Sequence, residues 1–234
     1  MRTFVLTSDK YRHCLPAFAY LFNKTLGAQF PVVVVCYDKP EAELPENFTV
    51  HSLGAQRDYS FSGGLRAFLE SVHDDVFLLM LEDYFLTDAS ELALRSLYDF
   101  MVARREVGRI DLTLDLRNRA HFPWRERVNG GQELVTAADD ALYQFSLQAS
   151  LWRRAFLLRF LNDGEDPWRC EKNASKRIVA ARAAGEDVPL VLGVRVPALT
   201  YVNAVGGQGK KPGAWDRAKF PAALWERLQT RGLL

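Results

Sequence analysis

The sequence predicts an α/β protein: a mostly parallel central sheet flanked by helices, with a mixed elaboration in the C-terminal half. Three observations predict it. Apolar runs that read as strands alternate with segments of helical spacing through the first half of the chain, the order from which parallel sheets are built. Two of those runs, Pro31-Val-Val-Val-Val-Cys-Tyr37 and Val76-Phe-Leu-Leu-Met-Leu81, are unbroken, as strands covered on both faces are. The 234 residues, 48% of them hydrophobic, suffice for one sizeable core.

Each element follows from its own pattern. Phe4-Val-Leu-Thr7 is a short buried strand, and Ser8-Asp9-Lys10-Tyr11 is the polar loop after it. Leu15, Phe18, Ala19, Leu21 and Phe22 fall at helical spacing within residues 14–24. The run ending at Tyr37 is the second strand, and Asp38-Lys-Pro40 and Leu44-Pro-Glu-Asn47 punctuate the loop beyond it. Phe48-Thr-Val-His-Ser-Leu53 alternates as a third strand. Tyr59-Ser-Phe-Ser-Gly-Gly64 is a glycine-ended loop, with a helix over residues 65–72. The run ending at Leu81 is the fourth strand. Asp88 and Glu91 have the spacing of a capping box, which predicts a helix capped by Asp88 and running to Arg105. Ile110-Asp-Leu-Thr-Leu114 alternates as a strand, residues 120–141 are less regular, and Tyr143-Gln-Phe-Ser-Leu147 is extended. Apolar residues then predict helices over 149–161 and 168–184, and a last one over 221–230.

Composition excludes several functions. Lys and Arg total 30 against 29 Asp and Glu, a net charge of +1. No strongly basic nucleic-acid footprint is present. Cys14, Cys36 and Cys170 are an odd, scattered set, neither a disulfide framework nor a paired metal motif, so a reducing cytoplasm is expected. The N-terminal apolar run is too short for a signal peptide. No run approaches the ~20 apolar residues of a membrane span.

Glu82 and Asp83 are the informative pair. They arrive together at the end of the fourth strand and are followed at once by Tyr84-Phe-Leu86. Ligands of open α/β sheets bind beyond the carboxyl ends of the strands. Two carboxylates there can hold Mg²⁺ or Mn²⁺, with substrate phosphates completing the shell, and Tyr84 and Phe85 would wall the site. The alternative is a solvated strand end.

At this point the chain resembles the GT-A glycosyltransferases, whose nucleotide-sugar domain ends its fourth strand in an acidic Asp-x-Asp-like motif; here the motif is Leu81-Glu82-Asp83. Further matching features are Ser8-Asp9-Lys10-Tyr11, Tyr59-Ser60 before a helix, Ser146-Leu-Gln-Ala-Ser-Leu-Trp152, and Trp168-Arg-Cys-Glu171. The similarity covers most of residues 1–215. It implies a single GT-A-like domain over residues 1–234: a nucleotide-sugar half in 1–115 and an acceptor-side half in 116–234. It also implies transfer from a nucleotide-diphosphate sugar donor to a glycan or other hydroxyl acceptor, with a divalent metal on Asp83 and Glu82. A non-catalytic sugar-binding relative and a nucleotidyltransferase are the alternatives. The latter usually carries a glycine-rich basic loop after the first strand, and Ser8-Asp9-Lys10-Tyr11 has no glycine.

The resemblance extends to other candidates, each with a plainer reading beside it. Ser8, Asp9 and Tyr11 contact base and ribose, or form an ordinary loop in which Asp9 caps the next helix. Tyr59, Ser60 and Ser62 offer a helix start to a diphosphate or sugar hydroxyl, or are simply a capped loop. Gln148 and Trp152 form a sugar wall, although Trp152, Phe156 and Phe160 also have the spacing of a packed helix face. Trp168 and Glu171 share a helix face. A carboxylate beside an indole is partly desolvated, which suits a general base, so Glu171 is the candidate, with Asp166 second. Asp166 before Pro167 is also a good helix cap. Lys210 or Lys211, in a glycine-rich segment that resembles the mobile loop of the family, would neutralise the leaving diphosphate, with Trp215 closing over it; a surface loop is the plain alternative. His13, His51, His73 and His121 show no ligand spacing.

Overall fold

The computed structural model describes residues 1–56, 60–116, 133–206 and 213–234, and the backbone of 124–129. The chain opens with β1 (Thr3–Leu6), a short 3-10 turn, α1 (Leu15–Thr25), β2 (Val32–Cys36), β3 (Phe48–Ser52), α2 (Phe61–Ser71) and β4 (Val76–Leu81). β5 (Tyr84–Ala89), α3 (Glu91–Ala103), β6 (Val107–Asp111), β7 (Trp124–Asn129) and β8 (Glu133–Ala137) follow. The remainder is β9 (Ser150–Arg153), α4 (Arg154–Phe160), α5 (Pro167–Ala183), β10 (Leu190–Val194), β11 (Leu199–Asn203) and α6 (Ala222–Thr230). Among the described residues, no helix is long and apolar enough to cross a membrane.

The main sheet has nine strands in the order β3-β2-β1-β4-β9-β6-β10-β8-β7. β3, β2, β1 and β4 are parallel neighbours, as are β6 and β10. β9 runs antiparallel between β4 and β6, and β8 antiparallel between β10 and β7. The expected mostly parallel α/β sheet is therefore present. β5 and β11 form a separate antiparallel pair.

Period-two alternation sends neighbouring strand residues to opposite faces, and two cores result. Val5, Leu78, Met80 and Ile110 join Phe18 and Phe22 of α1 and Leu94 and Leu97 of α3 on one face. Phe4, Leu6, Phe77 and Leu79 join Phe68 of α2, Phe156 of α4 and Ile178 of α5 on the other. This two-sided burial explains the unbroken apolar runs.

Four expectations are corrected. The helix after β4 is capped by Ser90, whose Oγ accepts from the Ala93 N–H at 3.2 Å. Asp88 lies instead in β5, because pairing with β11 holds that segment extended. α2 begins at Phe61, not residue 65. Gly64 is inside it because an added Cβ would lie 2.6 Å from Tyr37 Oη. Residues 143–147 form no strand. The helix expected over 149–161 starts only at Arg154.

Trp152 accordingly belongs to β9, paired with Phe77 and Arg109. It is 0% exposed, with Phe145 and Phe156 at ring-centroid distances of 4.9 and 6.0 Å and the Arg109 guanidinium over its ring at 5.2 Å. It is a core residue and has no access to a sugar.

The same region yields a stability prediction. A Cβ on Gly108 would lie 2.5 Å from the Phe156 ring. Gly108→Ala should therefore cost about 1–3 kcal/mol through overpacking, read as a lower denaturation midpoint in urea.

Candidate functional site

A cavity of about 420 Å³ opens at the carboxyl ends of β1, β2 and β4. Its lining includes the apolar Val35, Leu53, Phe61 and Leu65 and the acidic Glu82, Asp83 and Glu171. The doublet is tied to β1 by the Glu82 N–H, which donates to the Leu6 carbonyl at 3.3 Å. Glu82 is only 5% exposed. Burial first, then the Asp83 charge, raises its carboxyl well above the usual range, against backbone amides and the Thr7 hydroxyl. Burial pushes Asp83 up to about 6, opposed by its own backbone amide and by Lys219. Among the described residues, neither carboxylate is ion-paired with an arginine.

With its side-chain amide turned so that both its oxygen and its nitrogen find partners, Asn203 of β11 donates to Asp83 Oδ2 at 2.9 Å and to the Val205 carbonyl at 3.2 Å. The Ala204 N–H donates to the Asp83 carbonyl at 2.8 Å. Tyr84 of β5 and Tyr201 of β11 stack with centroids 4.3 Å apart, and Tyr84 lines the cavity. Phe85 points the other way, into the core beside Trp215 and Phe220. The small β5–β11 sheet thus buttresses the doublet.

Glu171, on α5, also lines the cavity. Its Oε1 accepts from the Leu147 N–H at 2.7 Å and from Ser146 Oγ at 3.0 Å. Trp168, one turn earlier, and Gln148 line the cavity too. The Gln148 Oε1 is buried and has no hydrogen-bond partner among the described residues, as is true of Ser8 Oγ. Asp166 does not line the cavity. It caps α5, accepting from the Arg169 N–H at 2.9 Å, and pairs with Arg169, so capping occupies the second base candidate.

In the loop after β1, Ser8 and Tyr11 line the cavity and Asp9 does not. The Asp9 Oδ1 accepts from the Asp38 N–H at 3.1 Å, and its own N–H donates to Gln56 Oε1 at 3.0 Å. It joins loops rather than capping α1, whose N-cap is Cys14. Ser60 is likewise structural: its Oγ accepts from the Gly63 N–H at 3.0 Å and the Gly164 N–H at 2.9 Å, tying α2 to the loop before α5. Ser62 is fully buried against Glu165. Ser60→Ala should lower stability by about 1 kcal/mol, as cap removal does, and leave nucleotide affinity unchanged by calorimetry. Tyr59, Lys210 and Lys211 lie outside the described residues. Trp215 bridges Val205 and packs on His13 and Phe85, with centroids at 5.0 and 5.6 Å.

Among the described residues, no group of three or more His, Cys, Asp or Glu is placed to hold a metal ion. The chemistry of the doublet nevertheless fits a shared ion. Mg²⁺ is commonly held by one or two carboxylates plus substrate phosphates and water, not by an all-protein cage, and both residues line the cavity. Sequence reading missed Asn203, Tyr37 and Tyr143 on the cavity wall; the first depends on the β5–β11 pairing, which leaves no local signal.

No family model and no curated protein matches the chain. Solved structures do. The mannosyltransferase PcManGT from Pyrobaculum calidifontis, in complex with GDP-Man and Mn²⁺, aligns with a TM-score of 0.52 and 14% identity over 89% of this chain. S. aureus TarS (1-349) aligns at 0.53 and 12% over 86%. A UDP-glucose pyrophosphorylase complexed with UDP-glucose aligns at 0.52 and 7% over 86% of this chain and 92% of its own. The chain spans 57% of the length of the first and 59% of the second. The chain thus has the GT-A-like α/β fold of these solved structures.

Proposed function

We propose that the protein is a glycosyltransferase that moves a sugar from a nucleotide-diphosphate donor to a hydroxyl of a glycan or other acceptor. The observation that supports the reading is that the Glu82–Asp83 doublet and Glu171 line one cavity at the strand ends. The apolar lining residues, with Ser8 and Tyr11, would take the nucleoside. Asp83, with Glu82 beside it, would hold a divalent ion, which when bound supplies positive charge against the departing diphosphate. Glu171 would accept the proton of the attacking acceptor hydroxyl in an inverting transfer. Its bonds from Leu147 and Ser146 fix one oxygen, which orients the carboxylate. The nucleotide half would be residues 1–115 and the acceptor side 116–234.

The test separates transfer from nucleotidyl chemistry. The protein is incubated with UDP-glucose, UDP-N-acetylglucosamine or GDP-mannose, with Mn²⁺ or with EDTA, and nucleotides are resolved by chromatography. The expected result is Mn²⁺-dependent release of nucleoside diphosphate from one donor. Nucleoside triphosphate appearing only on addition of pyrophosphate would favour the pyrophosphorylase reading. No turnover and no nucleotide binding would remove both.

A further inference from the structure

β3 (Phe48–Ser52) is one edge of the main sheet and, among the described residues, pairs with β2 alone. The Asn47 carbonyl accepts from the Val32 N–H at 2.8 Å, and the Leu53 N–H donates to the Cys36 carbonyl at 2.8 Å. Peptide groups alternate in direction along a strand, so Thr49 and His51 also turn theirs to β2, and Phe48, Val50 and Ser52 turn theirs outward. The Phe48 N–H is taken by the Pro45 carbonyl at 2.8 Å. The N–H and C=O of Val50 and of Ser52, and the C=O of Phe48, meet no hydrogen-bond partner among the described residues.

Edge strands are normally shielded by charged side chains, proline or a bulge. β3 has none of these: residues 47–56 contain no Asp, Glu, Lys, Arg or Pro in a chain that is 25% charged, and the register with β2 is unbroken from Phe48 to Ser52. Thr49, Val50 and Ser52 are exposed. An apolar pocket lined by Pro16, Ala19, Tyr20 and Pro45, with Lys24 and Glu43 of opposite sign, adjoins the start of the strand, where Asn23 of α1 bonds Asn47 at 2.9 Å. It widens the surface that a neighbour can cover.

The outward groups are symmetric about Val50. An antiparallel strand of the same sequence puts Val50 opposite Val50, which exchange two N–H···O=C bonds. It also puts Ser52 opposite Phe48, so that each Ser52 N–H donates to a Phe48 carbonyl across the axis. His51 then faces Thr49 and not itself, and with no Asp, Glu, Lys or Arg in the strand no such charge meets its own copy. This self-match selects a second copy of the chain, in a two-fold pairing, over a strand of unrelated sequence.

We infer that β3 is a self-association edge: two copies pair it antiparallel about a two-fold axis at Val50 and join their sheets into one. The inference is independent of the proposed transfer reaction. Sedimentation velocity of the whole chain, at concentrations up to about 200 µM, should show a species of twice the 26.6 kDa of one chain. Val50→Lys places two ammonium groups at the axis and should raise the dissociation constant by about tenfold or more, while Val50→Thr should leave it nearly unchanged. Val50 is 38% exposed, so the lysine can reach solvent in the monomer, and an unchanged unfolding temperature checks that the variant folds. Amide hydrogen exchange on the wild type locates the seam without any variant. The Val50 and Ser52 amides should exchange more slowly as concentration rises, and those of Thr49 and His51, already turned to β2, should change much less. Where Val50→Lys does not fold, this exchange measurement decides alone. A monomer at every concentration overturns the inference. So does a dimer that Val50→Lys forms as tightly as the wild type, or one in which the Val50 amide gains no protection. Val50 and Ser52 amides already protected in the monomer would show that another part of the chain covers the edge, and would overturn it as well.

Discussion

Glu171→Gln is expected to lower the turnover of sugar transfer by about 10²–10⁴-fold, the usual contribution of a positioned general base. The donor KM should stay nearly constant. The amide oxygen of glutamine can still accept from the Leu147 N–H and Ser146 Oγ, so the geometry of α5 against that loop is kept while the proton acceptor is lost. A fall in kcat with KM held is the signature of an interaction made in the transition state. Steady-state kinetics with the donor found in the nucleotide screen checks it. Equal kcat for variant and wild type would show that another group takes the proton.

Asp83→Asn should be more damaging still. Replacing groups that merely orient metal ligands costs about 10–100-fold, so removing a direct ligand should cut donor turnover by more than about 100-fold. The fold should tolerate the change. Asp83 is held well above its ordinary pKa by burial, and a neutral amide removes a poorly solvated charge next to Glu82. Thermal unfolding of Asp83→Asn without ligands should therefore occur at or above the wild-type temperature, while activity with Mn²⁺ disappears. A variant that keeps full activity would mean that the doublet is only a strand end.

The parts of the fold legible in sequence were those with local causes. β1, β2 and β4 are unbroken apolar runs because helices cover both faces. The doublet was legible for the same reason: two carboxylates directly after such a run stand out. What escaped was set by distant pairing. β5 ends in Thr87-Asp88-Ala89, whose Asp88–Glu91 spacing imitates a capping box, and only β11 holds the segment extended. β9 looked helical because Trp152, Phe156 and Phe160 recur at four-residue intervals, yet a strand and a helix meet at Arg153–Arg154 and contribute those rings to one core. At the site, Glu171 and Trp168 were readable from their helical spacing. Asn203 and Tyr143 were not, since one reaches Asp83 through the small sheet and the other reaches the cavity through a buried arginine.

The central claim, that the acidic doublet binds a cation together with a nucleoside diphosphate, is tested most directly by isothermal titration of UDP and GDP into wild type and Asp83→Asn, with and without Mn²⁺. The account predicts that Mn²⁺ tightens one nucleotide by about tenfold or more, or about 1.4 kcal/mol, in the wild type and leaves the variant unchanged. Identical affinities in all four conditions, with the nucleotide bound, would contradict it.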